Sequence, residues 1–273
     1  MTLLEPLLLA AVVPAAAALG LCLWRWRRGG RAPKSGPVAV AGVVMGVAAF
    51  LLLDWAVEQF IRTRTAADVK QISMAVLNYC DAHRGDWPAP AIYDKVGHPL
   101  LSWRVAILPF IDEDNLYRQF HLDEPWDSPH NLALLSRMPR LYAAADGAAE
   151  SFTTPYQGFV GPGTALEGPG LKCPQDFPDG LDDTILIVEA RDTVPWTKPA
   201  DLVYDPNGPV PVLGRVPFPG RILIGARRQR DIRPMVAMVN GRTSSLNPGI
   251  PEATLRAAIT RNGGETLGPD WER

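Results

Sequence analysis

Four aspartates crowd one short stretch: Asp176, Asp179, Asp182 and Asp183, with Gly180 supplying a turn among them and Glu189 a few residues on. A hard divalent cation such as calcium takes about six to eight oxygens, which closely spaced carboxylates and carbonyls provide. These four residues are therefore the candidate metal ligands, and calcium the candidate ion. The spacing differs from that of an EF-hand loop. The plainer reading is a solvated turn whose Asp side chains cap backbone amides, and the pattern leaves both readings open. Four histidines, His83, His98, His121 and His130, also invite a search for a triad or a metal site. No Gly-x-Ser-x-Gly elbow, His-Glu-x-x-His helix or Cys/His zinc spacing accompanies them. They read as surface or capping residues. No catalytic or cofactor-binding residue is expected, and the expectation is that the chain is not an enzyme.

The three cysteines allow one intramolecular pair outside the apolar N-terminal region, Cys80 with Cys173, and the sequence leaves open whether these two join. Trp87, Trp103, Trp126 and Trp196 stand among prolines and apolar neighbours. That setting favours core and sheet-covering roles over a sugar-binding platform.

The element that must position all of these is the stretch from Pro37 to Asp81. It starts as an apolar run from Val38 to Leu53 and turns amphipathic with no Gly or Pro to stop it. Leu, Ile, Phe and Val each favour mid-bilayer insertion by roughly 0.3–0.6 kcal/mol, whereas a central Asp costs about 2.5–3.5 kcal/mol. Asp54 therefore marks the membrane edge, with Trp55 beside it as an interfacial aromatic. At about 1.5 Å per residue, Val38 to Val57 covers roughly 30 Å of hydrocarbon. Beyond it Val57, Phe60, Ile61, Ala67, Ile72, Ala75, Val76 and Tyr79 recur at helical spacings, with Glu58, Arg62, Arg64, Asp68 and Lys70 mostly between them. One helix is predicted, leaving lipid and becoming the partner of a soluble fold.

An earlier apolar segment, Leu7 to Trp24, is also long enough to span, with Pro14 as a kink. Arg25, Arg27, Arg28, Arg31 and Lys34 follow it with no acid among them, and a signal peptide needs its basic residues in front instead. The positive-inside rule places that loop in the cytoplasm. The expected localisation is thus the inner (cytoplasmic) membrane, with two transmembrane helices and the C-terminal domain facing outward. Residues 1–36 hold the first span and basic loop, 37–83 the second span and its amphipathic continuation, and 84–273 the extracytoplasmic domain.

A formal net charge of −2 and a pI near 6.1 leave no basic patch for nucleic acid, which is excluded as a partner. The lipid bilayer is the partner that is expected. The 27 Pro and 24 Gly make the soluble part turn-rich. Short helices are predicted around Trp103 to Ile111, Glu113 to Phe120 and Asn131 to Arg137. Strands are predicted at Tyr156 to Val160, Thr184 to Glu189, Arg221 to Ile224, Met235 to Val239 and Thr243 to Leu246. Asn240-Gly241 signals a type I′ hairpin, Gly208 to Gly220 a long loop, and Pro251 to Arg261 a terminal helix. The sum is α+β: a long N-terminal helix, transmembrane then amphipathic, packed on an antiparallel sheet, plus one extra N-terminal transmembrane helix.

Several segments, in order, resemble a bacterial pseudopilin-like family, domain of unknown function 1559. They are Lys70-Gln71-Ile72 with Asn78-Tyr79, Ser102-Trp103-Arg104-Val105-Ala106-Ile107-Leu108-Pro109-Phe110, and Glu124-Pro125-Trp126-Asp127-Ser128-Pro129-His130-Asn131. Gly158-Phe159-Val160-Gly161-Pro162-Gly163-Thr164, Asp179-Gly180-Leu181-Asp182-Asp183-Thr184-Ile185-Leu186 and the run Leu255 to Glu265 continue it, so the resemblance covers about Thr65 to Leu267. It implies a pilin-like fold, an inner-membrane origin and an outward-facing domain, and no enzymatic activity. It adds a precedent for calcium, which pseudopilins of secretion systems sometimes hold. The chain departs from the family's pattern in several places: it carries an extra membrane span, and Ala143 and Ala144 occupy a region where relatives often have a cysteine. No cleavage Gly with Phe-Thr-Leu-Ile-Glu precedes Val38, Arg230 stands at the place of a late His, and Asn240-Gly241 at that of Asp-Gly. The expected role is a structural or assembly component of the cell envelope or of a type II secretion-like or pilus-like system, with itself or other pilin-like subunits as partners. The alternative is a membrane-tethered extracytoplasmic binding module for calcium, glycan or a protein.

Overall fold

The computed structural model describes residues 36–147, 151–214, 233–247, 249–264, 267 and 271. The expected first span, its basic loop, the strand expected at Arg221 to Ile224 and Arg230 lie outside them. Helix α1, Gly36–Ala82, runs without a break from the apolar segment into the amphipathic one. The chain divides into two compact units, Met1–Ile61 and Arg62–Arg273, and the boundary falls inside α1.

In the first unit the described apolar side chains of α1 face outward: Val44, Met45, Leu51, Leu52 and Trp55 are exposed, Met45 at 72%. In the second unit, Thr65, Val69, Ile72, Ser73, Val76 and Cys80 form one buried stripe at four- and three-residue steps, joined by Ala75. The expected stripe is corrected at Phe60 and Ala67, which are exposed, and at Val69, not anticipated and fully buried. The helix stops through a 6→1 bond from Gly85 N–H to Cys80 O at 2.9 Å. Arg84 stands in the left-handed region beside it, at φ 59°. That is the Schellman pattern, with arginine where glycine is usual.

Among the described residues the main sheet has four antiparallel strands in the order β3-β5-β7-β8: β3 Thr153–Gln157, β5 Ile185–Pro195, β7 Met235–Met238 and β8 Thr243–Ser245. Two smaller pairs complete the paired strands among the described residues. The first is an antiparallel hairpin of β1 Ala91–Tyr93 with β2 Pro99–Ser102, the second a parallel pair of β4 Phe159–Val160 with β6 Leu202–Val203. The strand expected over Tyr156 to Val160 is split between β3 and β4. The register of β3 against β5 shifts between Thr154 and Tyr156, at Pro155, which has no N–H for the ladder; proline is tolerated there because β3 is an edge strand.

Strand alternation separates two cores. Met235, Ala237 and Val239 face the cluster that contains Val69, Ile72, Val76 and Trp103. Val236 and Met238 face the other, with Phe159, Ile185, Leu255, Ala258 and Ile259. The sheet therefore lies between α1 and the terminal helix, Glu252–Ile259, and Ser73 Oγ donates to Met238 O at 2.9 Å where α1 meets β7. The β7–β8 turn corrects the type I′ expectation. That turn needs positive φ at both central residues, but Gly241 has φ 84° and Asn240 is not among the left-handed residues. Asn240 Oδ1 instead accepts from Arg242 N–H at 2.8 Å, and a Cβ on Gly241 would come within 2.9 Å of Met74 Sδ.

Candidate functional site

The densest polar cluster in the second unit is built on α2, the four-residue helix Trp103–Ala106. Ser102 caps it, its hydroxyl accepting from Arg104 N–H, and this delivers Arg104 into the core with no exposed surface. Its guanidinium meets Asp201 at 2.7 Å, Arg104 and Asp201 side chains being 0% and 2% exposed. The remaining donors reach Tyr156 O, from Nε at 3.0 Å and Nη2 at 2.7 Å, and Ser102 Oγ at 2.8 Å. Asp201 also accepts from Gly158 N–H at 2.9 Å and from the Trp103 indole. Gly158 is required for that approach, because a Cβ there would sit 2.4 Å from a Leu166 methyl. Burial pushes the Asp201 carboxyl up, and Arg104 with the Gly158 and Trp103 donors pulls it back. A buried ion pair persists only when its leftover lone pairs and protons are satisfied in this way.

The network continues to α1. Tyr142 donates from its hydroxyl to Arg104 O at 2.8 Å, and Tyr156, whose carbonyl holds Arg104, reaches Asp68 Oδ2 with its hydroxyl at 3.5 Å. Asp68 pairs with Arg64 one turn earlier at 3.6 Å. Burial lifts the Asp68 carboxyl from 3.8 to about 6, against the opposing pull of Arg64, Tyr156 and Arg140. The folded state therefore holds this proton more tightly than the unfolded chain does. Its contribution to stability is fully present below pH 3.8 and is lost as pH rises through about 6. Asp68→Asn removes that dependence, so the variant gains stability relative to the parent across this interval. Urea midpoints measured over the interval check it, and two parallel curves would contradict it.

A second hub organises the loop of the Pro-Trp-Asp-Ser-Pro motif. Asn131, fully buried in helix Pro129–Leu134, accepts from His121 N–H at 3.0 Å and donates to the carbonyls of His121, Glu124 and Pro125. Ser128 caps the same helix. His121 and His130 are thereby stacked, ring centroids 3.5 Å apart, with His121 Nδ1 2.9 Å from Glu124. All four histidines are exposed. Trp87, Trp103 and Trp196 are buried, while Trp126 is half-buried beneath Lys198.

Three of the four aspartates are spent on separate partners. Asp176 accepts from Lys172 N–H, Asp179 from Gly264 N–H, and Asp182 from the Asn240 amide. Arg261, following the terminal helix, donates to Asp176 O at 2.8 Å and pairs with Glu167. Among the described residues no three His, Cys, Asp or Glu side chains gather into a metal-holding group. What the residues do together is mechanical: Arg104 and Asp201 tie α2 and β3 to the start of β6, and Arg261 ties the acidic turn to the terminal helix.

Sequence reasoning passed over Asp201 and used Asp68 only as a polar spacer. The available signal was Arg104 itself, a charge between Trp103 and Val105 in an apolar run, which has to find a buried partner. No curated protein and no solved structure matches the chain. The matched family segment ends at Phe177, short of the acidic turn and terminal helix that also carry the resemblance, and it takes in Arg104, Asn131, Tyr142, Tyr156 and Gly158. Residues 62–177 match the model of the family described as Protein of unknown function (DUF1559).

Proposed function

We propose that this chain is a membrane-anchored, pseudopilin-like component of the cell envelope, with a structural or assembly role, whose second unit faces outward from the inner membrane. One observation carries this reading: α1 is long and apolar enough to cross a membrane, and its apolar first half is unburied, Leu52 at 66% exposure. Exposed apolar surface on that scale is stable in lipid and costly in water. The same helix then supplies part of the apolar core of the second unit, which the buried Arg104–Asp201 pair ties together, as suits a scaffold or subunit. Its partners are the bilayer and further pilin-like subunits, of this chain or another. Protease added to sealed right-side-out vesicles should digest the second unit without detergent. Protection until detergent is added would reverse the orientation and remove the envelope role.

A further inference from the structure

We infer that Cys80 and Cys173 are a dithiol pair that closes to a disulfide, stapling the end of α1 to the segment before the acidic turn. Both thiols are free and buried, at 4% and 9% exposure. The Cys80 thiol donates to Cys173 O, with Sγ 3.9 Å from the oxygen. One residue clamps their backbones: Gly85 N–H donates to Cys80 O and Gly85 O accepts from Cys173 N–H, each at 2.9 Å. The clamp continues through Trp87 N–H to Leu171 O at 2.8 Å and the Lys172–Asp86 ion pair at 2.6 Å. The cysteines are 93 positions apart in sequence, so their closeness is a product of the fold.

Burial raises both thiols, Cys173 to about 12. The oxidant is a protein or glutathione disulfide. The thiolate of one cysteine displaces one of its thiols to form a mixed disulfide, and the thiolate of the other displaces the second. The products are one Cys80–Cys173 bond and two reduced thiols on the oxidant, which receive the two electrons and the two protons. Closure in the cell rests on the outward orientation proposed above, because thiols stay reduced in the cytosol.

The test uses the purified full chain in detergent, equilibrated with oxidised glutathione or with dithiothreitol. The oxidised protein should lose the mass of two hydrogens and give a peptide linking Cys80 to Cys173. It should melt about 5–15 °C higher than the reduced form. Cys173→Ser abolishes the difference, and Cys22→Ala leaves it intact. Complete alkylation of both thiols after oxidation, or a link through Cys22 instead, overturns the inference. Alkylation trapping in intact cells separates it from the orientation: a pair that closes in vitro yet is trapped reduced in cells removes the outward placement and leaves the dithiol pair standing.

Discussion

Arg104→Met lowers the stability of the second unit by about 3–5 kcal/mol, the usual cost of removing one member of a buried ion pair. Asp201, 2% exposed, is left charged in the core or takes up a proton, and Tyr156 O loses two donors. The stem of methionine replaces much of the packing volume, so the loss is electrostatic rather than a cavity. Urea unfolding followed by near-UV circular dichroism, which reports the buried Trp103 and Trp196, measures it. Adding Asp201→Asn should recover part of the loss, since the orphaned charge is gone, and this coupling separates the pair from general disturbance at α2. Independent, additive losses would show that the two side chains are not a unit.

Ile72→Asp has the larger effect and should abolish the cooperative transition of the second unit. The isoleucine is fully buried in the stripe that meets Leu186, Ile187 and Ala237. Deleting such a side chain costs about 2–5 kcal/mol, and a buried carboxylate without a partner adds several more. Together these rival the roughly 5–15 kcal/mol by which a domain is stable. Gln71→Asp, one residue earlier on the exposed face, should change stability by no more than about 0.5 kcal/mol. The same charge on adjacent positions of one helix thus reads which face is packed. A near-native melting curve for Ile72→Asp would remove the helix from the core.

Periodicity carried much of the architecture. The helical spacing through Ile72 and Val76, the alternation of Met235 to Val239 and the Pro and Gly bounds of the short helices each record burial directly in residue type, so α1, β7 and α2 were legible. The hairpin of β1 with β2 was not, because three and four residues around Pro99 and Gly97 give no period to detect. The β7–β8 turn was located correctly and its type misjudged. Asn240 uses its side chain on Arg242 and Asp182 rather than adopting the left-handed backbone its dipeptide favours. The acidic turn suggested one cluster because four carboxylates are close in sequence, while the fold directs three of them to separate partners, two of these from distant segments.

Read alone, the amino-acid order determined the long apolar-to-amphipathic helix, the α+β class and the family segment, all of which rest on local spacing and on short contiguous motifs. Only the tertiary structure decided that Arg104 answers Asp201, that Asp68 sits under Tyr156 with its proton held to about pH 6, and that Cys80 meets Cys173. Each of those pairings joins residues 88 to 97 positions apart. Partners at such separation leave no periodic trace in the chain, since what selects them is the shared desolvation of groups that the sheet and helix bring into one interior.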